Sequence, residues 1–396
     1  MHYSLRKFVQ ACAVSTAFIG VTNASDHLDT PTVITNPRAD IGDLYAWTSV
    51  DGRQLNLVMT IVGHDFSDAL DYVFHVDSGK QFGATTATTA ITCRFKSQTA
   101  VNCRAGNADV ASGDPSQEHG LQGKKRRMRV FAGLRDDPFF NNVKGTRAAY
   151  RVGAGALENG TSRDIAGCPV FSPKVAGEIL YQWQHTDGGV ATNFVAGWTP
   201  ASLVIAVDLD AVSGGGKMLA VWAATVAQDG QVDRAGRPLT GNALLGTIAS
   251  ASVSDKLKEQ YNAATPATAA SFIAEIEQGL ALYDGFDSQC GNQLLADMDA
   301  PPATRYRAMA TLLADDRLWV NAASTICTQL FAVELASLGR REGRDDCGGR
   351  APDYSALNVY RSLLVTGDID GVDDGVSRDE REHSAAKFPF LAPPAQ

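Results

Sequence analysis

Leu55, Leu57, Met59 and Ile61 are separated by Asn56, Val58 and Thr60. A period of two sends alternate side chains to one face, which predicts a strand with that face in a core. Leu44 to Trp47 form a similar run upstream, and Asp51-Gly52 lies between them. Glycine tolerates positive φ there, so residues 43–62 predict a β-hairpin. Tyr72, Phe74 and Val76 alternate with Asp71, Val73 and His75 in a third strand, and residues 128–132, 202–209 and 218–226 are further strands. The last two hold near-continuous apolar runs, Leu203 to Val207 and Leu219 to Ala224, which suit central strands covered on both faces. Short strands joined by Gly-rich turns favour a sandwich.

The period changes near residue 253. Ser254-Asp255 reads as a helix start, and Thr265-Pro266 as another with proline in its first turn. Phe272, Ile276, Leu280 and Tyr283 then share one helical face. Residues 303–314 and 317–338 continue the helical pattern. Gly339 ends it, with Arg340 and Arg341 beside the negative end of the dipole. The expected architecture is α+β. A β-rich, sandwich-like body (25–252) precedes a helical block (about 253–339), and a β/loop C-terminal tail (341–396) packs back on the body in one integrated domain.

The N-terminus reads differently. Arg6 and Lys7 precede an apolar stretch from Phe8 to Val21, and Thr22-Asn23-Ala24 offers small residues for cleavage. Positive, apolar and small-residue regions in this order predict a secretory signal peptide over residues 1–24 and a periplasmic or secreted protein. Past residue 24 no apolar run is long enough for a transmembrane segment. The formal charge is −9, and loss of Arg6 and Lys7 with no acid brings it to −11. That balance disfavours nucleic acid as a partner. Lys124 to Arg127 is a local exception, read as a solvated loop entering a strand.

Export changes the meaning of the cysteines. Six remain after residue 24: Cys93, Cys103, Cys168, Cys290, Cys327 and Cys347. In an oxidising compartment they predict three disulfides. Cys93 and Cys103 sit in two strands around a turn and form the expected pair, with Cys327–Cys347 and Cys168–Cys290 as the plausible remainder.

Three polar motifs are candidate sites. Arg135-Asp136-Asp137-Pro138-Phe139-Phe140 offers two adjacent carboxylates as hard oxygen ligands, against a capped turn anchored by the phenylalanines. In Asp233-Arg234-Ala235-Gly236-Arg237-Pro238, two guanidiniums could grip a ligand carboxylate or phosphate, or staple the sheet to the helical block. Asp368, Asp370, Asp373 and Asp374 lie on a loop flexed by Gly371, without EF-hand spacing. They form the best calcium candidate, against a solvated acidic loop. His27, between Asp26 and Asp29, joins His64 and Asp65 in a transition-metal site only if the fold brings them together. Trp47, Trp183, Trp198 and Trp222 form a sugar platform only if they reach the surface.

These blocks carry a resemblance. Ser25-Asp26-His27-Leu28-Asp29-Thr30-Pro31, Ala39 to Trp47, the Arg135 and Asp233 blocks, and the closing Phe388-Pro389-Phe390-Leu391-Ala392-Pro393-Pro394 together resemble the DUF4331 family of exported bacterial proteins, whose function is uncharacterised. The likeness spans nearly the whole chain after residue 24. At its start His27 and Pro31 are kept, whereas the family's usual Arg-Glu is not. The resemblance implies location and fold more than activity.

The expected function is a non-catalytic exported binding or structural module, with calcium as the candidate stabilising ion. Its partner would be a small molecule, a glycan or an envelope protein. A secreted hydrolase-type enzyme using the acidic and arginine motifs is the alternative, and a periplasmic redox or haem-binding protein is the third class. No Gly-x-Ser-x-Gly elbow, His-Glu-x-x-His or Cys-x-x-Cys occurs.

Overall fold

A computed structural model of the protein describes residues 29–340 and 343–395. The expected signal peptide over residues 1–24, His27 and Arg341 lie outside the described residues. Helix α1 (Pro31–Thr35) leads into the hairpin β1 (Ile41–Thr48) and β2 (Gln54–Ile61). Gly52 takes φ +67° at its turn, as the Asp-Gly pair requires. A meander follows: β3 (Asp71–Gly79), β4 (Ala87–Ser97), β5 (Ala100–Ala105) and β6 (Asp109–Gly113). Then come β7 (Leu121–Gln122), β8 (Met128–Leu134), α2 (Val143–Glu158), α3 (Pro173–Trp183), β9 (His185–Thr186), β10 (Gly189–Val190) and β11 (Ala201–Asp208). The next run is α4 (Leu209–Val212), β12 (Met218–Ala227), β13 (Gly230–Ala235), α5 (Thr240–Leu244), α6 (Ala251–Asn262), α7 (Ile273–Asp284) and α8 (Arg307–Ala314). The last elements are β14 (Leu318–Asn321), α9 (Ala332–Ser337) and α10 (Ala356–Val365).

The strands build two antiparallel sheets, in the orders β1-β2-β11-β8-β7 and β13-β12-β3-β4-β5-β6, with β14 also on β12. β1 meets β12, β13 and β14 at one side, and β6 meets β7 and β8 at the other. Alternation decides the faces. Leu57, Met59, Leu203 and Ile205 enter one buried core with Phe74, Val76, Leu219 and Val221. The body is therefore an α+β, sandwich-like fold.

The opposite faces are covered too, which makes β11 and β12 apolar on both sides. On the first sheet, register places Asp43, Tyr45 and Trp47 beside Val58, Val204 and Phe131. The C-terminal segment lies over them: Trp47 Nε1–H donates to Ala385 O at 2.9 Å, and Phe390 packs edge-on against Trp47. On the second sheet Trp319 and Val333 cover Ala220.

Two helical expectations need correction. Residues 317–338 are not one helix, because Leu318–Asn321 pairs with β12 and only Ala332–Ser337 is helical. The edge of β12 offered hydrogen bonds to a β-compatible Leu-Trp-Val run, and tertiary pairing overrode the local period. Helices α2 and α3 escaped the periodicity reading. α2 carries three glycines, which weaken its intrinsic propensity. A Cβ on Gly145 would stand 2.6 Å from Gln182 O, so this glycine permits the close approach of α2 to the end of α3. The tail likewise contains helix α10.

All three expected disulfides form: Cys93–Cys103 across β4 and β5, Cys168–Cys290, and Cys327–Cys347. Among the described residues no helix is long and apolar enough to cross a membrane.

Candidate functional site

The Arg135 block turns inward over the covered face of the first sheet. Arg135 pairs with Glu118 at 2.6 Å and lies over the Phe131 ring. Its two following carboxylates part company. Asp137 accepts the Phe139 amide at 3.2 Å. Burial pushes the Asp137 carboxyl well above the usual range, Asp43 adds to this, and Arg350 and His383 oppose it. Arg350 answers from the tail side of β1. It forms a short, buried ion pair with Asp43, donates to the Tyr45 hydroxyl at 3.2 Å and stacks 4.1 Å over the Tyr45 ring.

Asp136 faces His383 instead. His383 Nε2 lies 3.1 Å from Asp379 and 3.5 Å from Asp136, with all three side chains buried. One donor atom from each of the three falls within 4.8 Å of the others, a separation that a metal ion could bridge. The other ring nitrogen decides against it. The Ala392 amide donates to Nδ1 at 3.2 Å, so the neutral ring carries its proton on Nε2, toward the carboxylates. A cation at Nε2 would drive a proton onto Nδ1 against that amide, the reverse of the support metal-binding histidines receive. Catalysis meets the same obstacle. Asp379 and His383 border a recess of about 440 Å³, yet Nε2 faces two acids and Nδ1 an amide, leaving no nitrogen for a substrate. The arrangement suits a clasp between tail and body.

That clasp is pH-sensitive. Burial would depress the His383 pKa, but its hydrogen bonds and charge contacts with Asp136 and Asp379 raise it to about 9. A raised folded-state pKa stabilises fully below the unfolded value of about 6.5 and is lost as pH climbs through 9. The loss should be on the order of 3 kcal/mol. Urea unfolding of wild type and His383→Gln at pH 6 and pH 9.5 checks this. Wild type should lose the extra stability, and equal pH dependence in both proteins would refute the clasp.

The Asp233 block is a staple. Asp233 accepts the Ile41 amide at 2.7 Å, and burial with nearby Asp40 and Asp29 holds its carboxyl well above the ordinary range. Asp29 rises to about 6 through burial, against the pull of Lys258. Arg234 pairs with Asp316 at 3.3 Å and lies 4.5 Å over the Tyr261 ring. Arg237 pairs with Glu334 at 2.8 Å and donates to Leu312 O at 3.2 Å. These bonds tie β13 to the helices, as the structural reading of the motif expected.

The acidic loop does not close into a cage. Asp374 is buried, pairs with Arg361 at 3.3 Å and accepts the Asn142 amide at 3.0 Å. Asp373 accepts the Gly375 amide at 2.8 Å. Asp368 points outward to Arg340 at 3.5 Å, and Asp370 offers its carbonyl to Thr366. Among the described residues the Asp136, Asp379 and His383 group has metal-like spacing, and the four carboxylates at 368–374 are not drawn together. Neighbours in sequence were drawn to different partners in space.

The remaining candidates disperse. His64 Nδ1 lies 2.8 Å from Thr199 O, while Asp65 pairs with Arg38 at 2.6 Å. Trp47, Trp183 and Trp222 are buried and only Trp198 is substantially exposed, which removes the four-tryptophan sugar platform. The Lys124–Arg127 loop wraps around Asp109, whose carboxylate accepts the amides of Val110, Lys125, Arg127 and Met128.

The sequence carried no sign of a large cleft. A cleft of about 710 Å³ opens among α5, α6, α7 and the segment before α8. Leu244, Ile248, Val253, Leu257 and Leu282 supply apolar wall, and Tyr306 stands at one side with its hydroxyl tied to Asp284 at 2.7 Å. None of the Arg135, Asp233 or Asp368 motifs borders it. The apolar face read on α7, Phe272, Ile276, Leu280 and Tyr283, packs into the core and does not border the cleft. Against known proteins, the chain matches no family model, no curated protein and no solved structure.

Proposed function

We propose that the protein is an extracytoplasmic, non-catalytic binding module whose helical block holds a small, largely apolar molecule. One observation carries this reading. The aspartate and arginine motifs suited to chemistry are mostly buried and committed to internal partners, while the large cleft is lined by none of them. Its volume of about 710 Å³ falls in the range of small-molecule sites, and its wall combines apolar side chains with polar ones such as Thr247 and Gln278. The signal-like residues 1–24 and the three disulfides support a periplasmic or secreted location, where such bonds persist. Membership of the DUF4331 family belongs to the same proposal, on the Arg-Asp-Asp-Pro-Phe-Phe and Asp-Arg-Ala-Gly-Arg-Pro blocks.

The neutral apolar dye N-phenyl-1-naphthylamine tests the cleft. Saturable binding near one dye per chain is expected. Ala274 lines the cleft from an exposed position on α7, so Ala274→Trp should fill the space without disturbing the core. It should weaken dye binding at least about tenfold with the melting temperature unchanged. Undiminished binding by a folded Ala274→Trp protein would remove the proposal, as would the absence of saturable binding in wild type.

A further inference from the structure

The wall of the large cleft carries charge of both signs. Its ionisable side chains are Arg163, Glu275, Glu277 and Tyr306. Two of them are committed elsewhere. Glu277 pairs with Arg307 at 2.9 Å. Tyr306 donates its hydroxyl to Asp284, and burial raises its pKa, so it stays neutral. The Glu275 carboxylate is half-buried and has no ion pair or hydrogen bond among the described residues. Arg163 is exposed and gives one guanidinium N–H to Gly167 O at 2.7 Å, which leaves its other donors for a ligand. Its neighbour Asp164 is paired with Arg305. The uncompensated charges on the wall are therefore one anion and one cation. We propose that the cleft takes a short apolar peptide with free ends, its ammonium at Glu275 and its carboxylate at Arg163.

Helix α7 sets the spacing. The Arg163 guanidinium is held at Gly167, and a Cβ on Gly167 would lie 3.9 Å from the Ala281 side chain in the last turn of α7. The Cys168–Cys290 bond fixes this loop to the segment after α7. Glu275 stands in the first turn of the same helix, about 9 Å from Ala281 along its axis. An extended peptide advances about 3.3 Å per residue, so about three residues cover that span. Gln278, one turn on from Glu275, makes no hydrogen bond among the described residues, and its amide offers a donor and an acceptor to a peptide group. Val253, Leu257 and Leu282 supply apolar wall for the side chains. Opposite charges at the two ends orient the ligand, and a reversed peptide would set like charges against each other.

The inference rests on the cleft reading above, and the test keeps the two separable. Trileucine, its N-acetyl form and its C-terminal amide compete against N-phenyl-1-naphthylamine on the folded chain at pH 7. The free peptide should displace the dye at about tenfold lower concentration than either capped form, although each cap makes the peptide more apolar. Glu275→Gln should cut the deficit of the acetyl form to about twofold and keep that of the amide, and Arg163→Gln should do the converse. Equal displacement by the three peptides on wild type, or displacement by none, overturns the peptide and leaves the cleft reading standing. An acetyl deficit that persists in folded Glu275→Gln overturns the seat of the ammonium, and an amide deficit that persists in folded Arg163→Gln overturns that of the carboxylate. If the dye does not bind, the cleft reading falls and this inference with it. The wild-type comparison decides the matter even if neither variant folds.

Discussion

Replacing Cys168 and Cys290 together by serine should cost about 5 kcal/mol of stability, against about 3 kcal/mol for Cys93 and Cys103. The reason is loop length. The first bond joins residues 122 apart and the second residues 10 apart, so the first removes far more freedom from the unfolded chain. The Cys93–Cys103 pair links strands already facing each other in the ladder. The Cys168–Cys290 bond ties the loop between α2 and α3 to the segment after α7. Denaturant unfolding of the two double-serine variants measures both losses. Equal losses would mean that chain entropy does not govern these bonds here.

Arg350→Met should cost about 3–5 kcal/mol at pH 7, because it leaves a buried acid without its cation. Arg350 pairs with Asp43 inside the fold and also opposes the raised pKa of Asp137. Methionine keeps most of the side-chain volume, so packing loss is a smaller part of the effect. Burial already raises the Asp43 pKa against the pull of Arg350, and loss of that pull raises it further. A carboxyl whose folded pKa lies above its unfolded value favours folding at low pH and loses that advantage as pH rises. The deficit of Arg350→Met should therefore shrink on acidification from pH 7 to pH 5. Asp43→Asn with Arg350→Met should recover most of the loss, since the double variant leaves no uncompensated charge at that pair. Urea unfolding of the single and double variants checks all three statements. A single variant within 1 kcal/mol of wild type would show that the pair is not needed.

Much of the fold was legible because its signals are local. The β1–β2 hairpin followed from period two and an Asp-Gly turn, and Gly339 does lie just past the end of α9 with φ +77°. The strands β11 and β12 announced themselves by unbroken apolar runs, and both faces of each proved covered. Less legible was Leu318–Asn321, whose state depended on an available edge of β12. Helix α2 was hidden by its glycines, one of which is there for the contact with the end of α3. The Arg234 and Arg237 staple was readable as a clamp, although its partners Asp316 and Glu334 were not nameable from spacing. The histidine clasp was missed because Asp136 and His383 lie far apart in the sequence and share no motif.

By itself the sequence determined the strand and helix periodicities, the turn chemistry and the composition of each candidate motif. It also singled out the Cys93–Cys103 pair, through strand context, and left the other two pairings as a plausible remainder. The tertiary structure decided which acids meet which bases. Asp43 and Arg350 are 307 residues apart, and Asp374 turns to Arg361 while Asp368 turns to Arg340. The physical reason is range. Backbone propensity and side-chain period act over a few residues, whereas the protonation and pairing of a buried carboxylate depend on whatever the whole fold places beside it. The cleft belongs to the same class, since an apolar helical face reads alike whether it meets another helix or empty space.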